Sequence, residues 1–427
     1  MKVLLLAPYL WCPEIQDGDR NTSGLAHMVR SIAEEIGRCE DLTVFTQSYF
    51  VKSEKRVDTF NLGKKSKLDT LKSLMSPYLL MGLKFSKIEG GGIKRAAHVL
   101  HYFLGGAHVE RYIKKHQIDV VSIHSIGAYT LPYLIACHRT NTPAVVTLHG
   151  LDSLDRNVTA ASDAGAFLER LLMTESECNR LPITMIATGM KNRMKRELGY
   201  DLQSVSIVNN YCGRELENRA LALRDCLRGS FSNGTKTILC VGSLTKLKNQ
   251  AQTIRAVSIL QSQIGMSLRV VLAGAGPELD YLKELSRELS VNAEFVGQAS
   301  QEQLSRYYCE SDVLVLASIC EGFGLPVLEG YWHGLPAVMF EDLDAFDDLY
   351  SPDAMISVSA RDDKALSEAI NDALTRQWDA ASIVEVAQSL SAESVGAKYV
   401  EALEAGGVVP SKAFVDNALA GEIVSVE

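Results

Sequence analysis

The chain has 427 residues, is 47% hydrophobic and 22% charged, and carries a net charge of −9. A chain of this length and composition predicts two domains that bury about three-quarters of their unfolded surface, which excludes wholesale disorder, collagen-like repeats and a small disulfide-stapled scaffold. The acidic balance also argues against a general nucleic-acid binder, which is normally basic. In chain order, Lys2–Pro8 predicts a strand. Ser23–Ile36 predicts a helix, with Leu25, Met28, Val29, Ile32 and Ile36 at helical spacing and Gly37 as its stop. Strands follow at Leu42–Thr46, Ile118–His124, Ala144–Leu148, Ile183–Ala187 and Ser204–Val208. The rhythm pauses at Asn209–Gly213 and in the turn-rich stretch 229–234. It restarts with strand Thr237–Val241, strand Leu268–Ala273, helix Glu278–Leu289 and strand Ala293–Val296. Helix Gln301–Cys309, strand Val313–Ala317, helix Pro326–Trp332 and strand Ala337–Phe340 complete the series.

Strands alternating with helices predict an α/β fold with parallel sheets covered on both faces. The pause divides the chain into a first domain over residues 1–212 and a second over 213–390. Residues 391–427 form a terminal segment, with Ser391 placed to cap a last helix that stops at Gly406 and packs back on the first domain.

The nine cysteines are odd in number and form no C-x-x-C pair, as expected of buried small hydrophobes in a reducing compartment. Pro8 ends the apolar run Val3–Ala7 too early for a signal-peptide core. The uncharged stretch Val120–His138 holds His124, Pro132 and His138 and reads as strand, loop and helix rather than a membrane span. A cytoplasmic protein is the expectation.

The most informative segment is Glu321-Gly-Phe-Gly-Leu-Pro-Val-Leu-Glu329. It leaves the carboxyl end of a buried strand, where open α/β sheets bind ligands. Gly322 and Gly324 let backbone approach a ligand closely, and Pro326 suits the first helical position. First-turn amides then face the cleft and favour an anion such as phosphate. Glu321 and Glu329 are acceptors for vicinal sugar hydroxyls. Other motifs fail. Gly274-Ala-Gly276 begins a dinucleotide fingerprint, but position 279 is leucine, and neither G-x-x-x-x-G-K-[ST] nor G-x-S-x-G occurs.

The segment resembles the E-x7-E motif of retaining glycosyltransferases of family 4. Val241-Gly-Ser-Leu-Thr-Lys-Leu-Lys-Asn249 resembles that family's phosphate loop, and Leu272-Ala-Gly-Ala-Gly-Pro277 its second glycine turn. Phe295-Val-Gly-Gln298, Asp312-Val-Leu-Val and His333-Gly-Leu-Pro336 follow in the family's order. The resemblance covers about residues 204–340 and, more loosely, the amino-terminal half. It implies the GT-B architecture: two doubly wound Rossmann-like domains facing a central cleft. It also implies roles by position. Glu329 would hold the ribose hydroxyls of a nucleotide sugar, with uridine as the base, and Gly297 would lie near that base. Glu321 would contact the donor sugar, helped by the backbone of Phe323, Gly324 and Leu325. Lys248 would neutralise the diphosphate leaving group. In the first domain, His149 of Thr147-Leu-His-Gly150 would face the donor sugar, and Ser23-Gly24 would open the first helix beside the diphosphate.

Two positions depart from the family. Ser243 stands where its phosphate-binding arginine stands, and Ser23 replaces its first amino-terminal glycine. Serine donates a hydrogen bond but brings no charge, although Lys246 is close in sequence. These departures keep open a non-catalytic GT-B subunit that supports a partner glycosyltransferase. A sugar-nucleotide epimerase on the same architecture is the other rival, and the intact E-x7-E argues against it. The leading expectation is transfer of a sugar from a nucleotide donor to an acceptor hydroxyl with retention, in polysaccharide or glycoconjugate synthesis. No metal or other cofactor is expected, since no Asp-x-Asp motif or His/Asp cluster is placed for one. Residues 51–100 hold eleven Lys or Arg against four Asp or Glu, a net +7, leaving −16 on the remainder. Interleaved with Leu79, Leu80, Met81, Leu83 and Phe85, they predict an acceptor side that touches an anionic membrane peripherally and takes a saccharide or lipid-linked acceptor.

Overall fold

The computed structural model describes residues 1–7, 24–39, 41–46, 57–61, 72–89, 92–127, 129–151, 153–155, 163–227, 235–265 and 268–422. The chain divides into two compact units. The first comprises Met1–Ile186, Met190–Val208 and Val395–Glu427, and the second Ala187–Gly189 and Asn209–Ser394. Among the described residues, no helix is long and apolar enough to cross a membrane.

The first unit is built on a parallel sheet of β1 (Lys2–Ala7), β2 (Asp41–Thr46), β3 (Val57–Asn61), β4 (Val120–His124), β5 (Ala144–Leu148), β6 (Ile183–Met185) and β7 (Val205–Ile207). Their order is β3-β2-β1-β4-β5-β6-β7. In β1, Val3 to Leu6 are wholly buried, as a parallel sheet covered on both faces demands. The register sets Leu5 beside Val44 on one side and beside Ser122 on the other. The strand order reverses between β1 and β4, the place at which open α/β sheets commonly bind ligands.

The second unit repeats the plan with β8 (Thr237–Val241), β9 (Arg269–Ala273), β10 (Asn292–Gly297), β11 (Val313–Leu316), β12 (Ala337–Phe340) and β13 (Met355–Val358). The order β10-β9-β8-β11-β12-β13 places the reversal between β8 and β11. Both sheets are thus doubly wound and Rossmann-like.

The structure refines several expected boundaries. Leu325, not Pro326, is the first residue of the helix Leu325–Trp332, so proline sits second and its missing N–H still falls in the first turn. The helix Ala392–Glu404 is capped as expected, since Ser391 Oγ accepts from the Ser394 amide at 3.2 Å. Beyond Gly406, where no element was expected, Lys412–Ala420 is helical, with Ser411 as its N-cap and Phe414 buried. Strands β3 and β13 and the helices Asp363–Thr375 and Ala380–Gln388 were also not expected. The two strands are short, five and four residues, whereas the two helices carry local start signals in the N-caps Asp362 and Asp379, whose carboxylates accept from first-turn amides. The segment Tyr78–Glu89 is helical. It exposes Leu80, Leu83, Lys84 and Lys87 while burying Tyr78 and Phe85, and nearby Met75 and Ile93 are also exposed. Lys64, Lys65 and Lys67 lie outside the described residues.

Candidate functional site

In the second unit, the loops leaving β8 and β11 meet at the strand-order reversal. The first carries Lys248 and the second Glu321, and the Lys248 ammonium donates to Glu321 Oε2 in a close ion pair. The two side chains are 25% and 13% exposed, so the pair is shielded yet reachable. Ser318 Oγ donates to the same carboxylate oxygen at 3.2 Å. Backbone holds the two loops together: the Ile319 N–H donates to Leu247 O at 2.8 Å, and Asn249 Nδ2 to Ala317 O at 3.4 Å. Asn249 itself is left-handed (φ 50°), which turns the chain sharply into the helix Gln250–Ile264 behind Lys248. Arg361 lies 4.1 Å over the Phe340 ring and donates to Ser318 O at 2.6 Å, anchoring the Glu321 loop from the far side.

The second glycine turn has a structural duty. A Cβ on Gly274 would stand 1.9 Å from Gly242 O, and one on Gly276 2.2 Å from Leu244 O. Only glycine lets the loop after β9 lie directly on the loop that carries Lys248. The Gly242 N–H donates to Ala273 O at 2.9 Å, and the Leu244 N–H to Ala275 O at 3.0 Å. Ser243 is exposed, and its carbonyl accepts from Gln250 Nε2 at 3.0 Å. Lys246 is exposed and makes no ion pair among the described residues.

Gly324 precedes the helix Leu325–Trp332 with φ 80°, and no side chain caps that helix. Its dipole and first-turn amides remain available to an anion. Phe323 is buried and fixes the loop to the core. One turn into the helix, Glu329 Oε2 accepts from the Tyr308 hydroxyl at 2.7 Å. Oε1 makes no hydrogen bond among the described residues. Burial pushes the Glu329 carboxyl up to about 7, against the opposing effect of the Tyr308 hydrogen bond. His333 donates from Nδ1 to Glu329 O at 2.7 Å and stacks on Tyr308 with ring centres 5.0 Å apart. Gly297 closes β10 with φ 67° beside a register shift, and a Cβ there would meet open space.

In the first unit, Gly24 opens the helix Gly24–Cys39, while Ser23 lies outside the described residues. His149 follows β5, half-buried, with Nε2 3.1 Å from Nδ1 of His124 at the end of β4. Burial lowers the His149 imidazole to about 4, so it is neutral at physiological pH.

The structure thus brings Lys248, Glu321 and Gly324 together, with the Gly324 Cβ position 3.8 Å from Glu321 Cγ. It gives Glu329 a separate set of partners. Ser318, Tyr308, Arg361 and His124 were missed. Ser318 borders the recognised segment and offered a positional signal. Tyr308 and Arg361 reach the site from other elements, which no local pattern marks. Among the described residues, no group of three or more His, Cys, Asp or Glu is placed to hold a metal ion.

Residues 24–211 match the model of Glycosyltransferase Family 4, and residues 228–390 that of Glycosyl transferases group 1. The D-inositol 3-phosphate glycosyltransferase of Corynebacterium diphtheriae is 24% identical over 342 residues, covering 76% of this chain and 75% of that protein. An uncharacterized glycosyltransferase of Methanocaldococcus jannaschii is 36% identical over 107 residues, which span 24% of this chain and only 27% of the relative. Among solved structures, Anabaena HepE in complex with UDP superposes with a TM-score of 0.64 at 17% identity, covering 95% of this chain and all of HepE. Sucrose-phosphate synthase of Thermosynechococcus elongatus gives 0.67 at 16% identity, covering 95% of this chain and 99% of that one.

Proposed function

We propose that this chain, a GT-B glycosyltransferase by its two matched segments and its fold, moves a glycosyl group from a uridine diphosphate sugar to an acceptor hydroxyl with retention at the anomeric carbon. The observation that carries the reading is the Lys248–Glu321 pair beside the uncapped helix that begins after Gly324. An ammonium and free helix amides suit a diphosphate leaving group. The carboxylates of Glu321 and Glu329 suit the hydroxyls of the sugar and the ribose. In the ligand-free protein Lys248 and Glu321 neutralise each other, and a diphosphate takes Lys248 while a sugar hydroxyl takes Glu321. In the reaction, the bond from the anomeric carbon to the diphosphate oxygen breaks and the bond to the acceptor oxygen forms on the same face. The acceptor proton passes to the departing phosphate. Protein groups supply positioning and charge stabilisation.

HepE, solved with UDP and with UDP-glucose, supports uridine as the base. Relatives named for transfer or synthesis, such as the N-acetyl-alpha-D-glucosaminyl L-malate synthase of Bacillus anthracis, favour transfer over epimerisation. A thermal-shift screen of nucleoside diphosphates and nucleotide sugars, with EDTA in the buffer, tests the reading. UDP at a hundred times its dissociation constant is expected to stabilise the protein by about 2.7 kcal/mol. Stabilisation only after magnesium or manganese is added would transfer the role given to Lys248 to a metal. No response to any nucleotide would overturn the donor assignment.

The helix Tyr78–Glu89 supports peripheral attachment to an anionic membrane, because its exposed Leu80 and Leu83 stand with exposed Lys84 and Lys87. Co-sedimentation with anionic vesicles is expected at low salt and not at high salt. The double variant Lys84→Ala, Lys87→Ala should weaken binding by about 2 kcal/mol, roughly 30-fold. Absence of binding at low salt would point to a soluble acceptor.

A further inference from the structure

Behind His149 lies a buried chain of hydrogen bonds inside the first unit. Thr184 Oγ1 donates to Thr147 Oγ1 at 2.7 Å. Thr147 Oγ1 is 2.9 Å from the Tyr399 hydroxyl, which is 2.9 Å from Ser122 Oγ and 2.7 Å from His124 Nε2. His124 Nδ1 is 3.1 Å from His149 Nε2. His124 and Tyr399 also stack, with ring centres 5.7 Å apart and planes 18° apart. The nearest titratable neighbours in this chain of bonds are the three rings themselves; Ser122, Thr147 and Thr184 are neutral hydroxyls. Of these residues only Thr147 and His149 belong to the recognised segments.

The protons can be assigned by counting. Thr147 accepts from Thr184, so its own proton goes to the Tyr399 oxygen. A phenol oxygen donates once and accepts twice at most. Ser122 Oγ reaches Tyr399 at 2.9 Å and His124 Nε2 at 3.3 Å, and a proton on Nε2 would leave one of the buried hydroxyl protons without an acceptor, so Tyr399 donates to His124 Nε2, while Ser122 donates to Tyr399. His124 is then without a proton on Nε2. A wholly buried, unpaired imidazole is neutral, so its one proton sits on Nδ1 and is donated to His149 Nε2. His149, likewise neutral, carries its proton on Nδ1, an atom with no partner among the described residues. Burial lowers both imidazoles, in agreement with their neutrality.

We infer that His124 and Tyr399 are positioning residues that fix the tautomer of His149, so that it presents an Nδ1–H donor to an oxygen of a sugar bound at the carboxyl end of the first unit's sheet. The alternative tautomer would offer a lone pair, a base in place of a donor. The inference rests on the proposed function only in naming the ligand; the tautomer itself is a property of the free protein. The helix Ala392–Glu404 supplies Tyr399, so the carboxyl-terminal segment completes this relay.

Two-bond 1H–15N correlation on the full chain labelled with 15N-histidine, at neutral pH and without ligand, reads the tautomer directly. Loss of one spin system in His149→Asn identifies the His149 signal. The wild type is expected to show the Nδ1–H form. In Tyr399→Phe and His124→Phe that form should be lost in favour of Nε2–H. His124→Asn, whose amide nitrogen stands near the former Nδ1, should restore it. A purely structural role would lower the melting temperature of all three variants without this pattern. An Nε2–H signal for wild-type His149 overturns the inference even if no variant folds, and so does an unchanged tautomer in a folded Tyr399→Phe. The UDP thermal shift is read separately, so failure of the donor assignment and failure of the relay are distinguishable.

Discussion

Lys248→Ala is expected to lower turnover about 100- to 1,000-fold with the donor that the thermal-shift screen identifies, the effect of removing one preorganised donor aimed at developing charge. The leaving diphosphate gains charge as its bond to the sugar breaks, and Lys248 is the cation that the loop after β8 carries to the strand-order reversal. Donor affinity should fall less than turnover, because the ground-state diphosphate retains the amides of the helix Leu325–Trp332. Removing Lys248 also leaves Glu321 with Ser318 as its hydrogen-bond partner among the described residues, so some stability is lost too. The double variant Lys248→Ala, Glu321→Gln removes both charges and should recover that stability without recovering turnover. Single-turnover rates and chemical denaturation on the same three proteins separate the two effects. Turnover within a few-fold of wild type in Lys248→Ala would remove Lys248 from the chemistry.

Glu329 carries the second large effect. Glu329→Ala is expected to weaken UDP binding by about 1.5–3 kcal/mol, roughly 10- to 150-fold, since ribose hydroxyls lose a charged acceptor. Calorimetry with UDP decides this, and unchanged affinity would sink the assignment. The pH dependence has a definite sign. Burial holds the Glu329 carboxyl at about 7, so acceptance of two hydroxyl protons requires it to ionise, and UDP affinity should decline as pH falls below that value. Stability runs the other way. Between its unfolded value near 4.5 and about 7, the folded protein keeps a proton that the unfolded chain has released. Stability therefore falls as pH rises through that window, by about 1.4 kcal/mol for each unit. Glu329→Gln should flatten this slope and raise stability above neutral pH while still losing affinity. A half-buried carboxylate whose enclosure raises its pKa fits a binding site.

Much of this molecule was legible in the order of its residues. Strands buried on both faces are predominantly apolar, so β1, β5 and β8 announce themselves, and the repeating strand–helix alternation permits little besides two parallel sheets. The segment from Glu321 to Glu329 was equally plain, because close backbone approach needs glycine, a helix start tolerates proline and a hydroxyl needs a carboxylate, all within one local stretch. What required the tertiary structure is every contact that joins distant parts of the chain. Glu321 faces Lys248 because β8 and β11 are neighbours where the strand order reverses. Glu329 meets Tyr308 from another helix, and its raised pKa is a property of enclosure that no neighbour in sequence imposes. Gly274 and Gly276 look like a dinucleotide turn in sequence and prove to be the places where one loop lies on another. His149 drew notice as a lone histidine after a strand, yet its proton is assigned through His124 and Tyr399, the latter 250 residues further on in the helix Ala392–Glu404. Local periodicity encodes which face of an element is buried. Which polar atoms meet in that interior depends on the packing of elements far apart in the chain, and only the folded chain decides it.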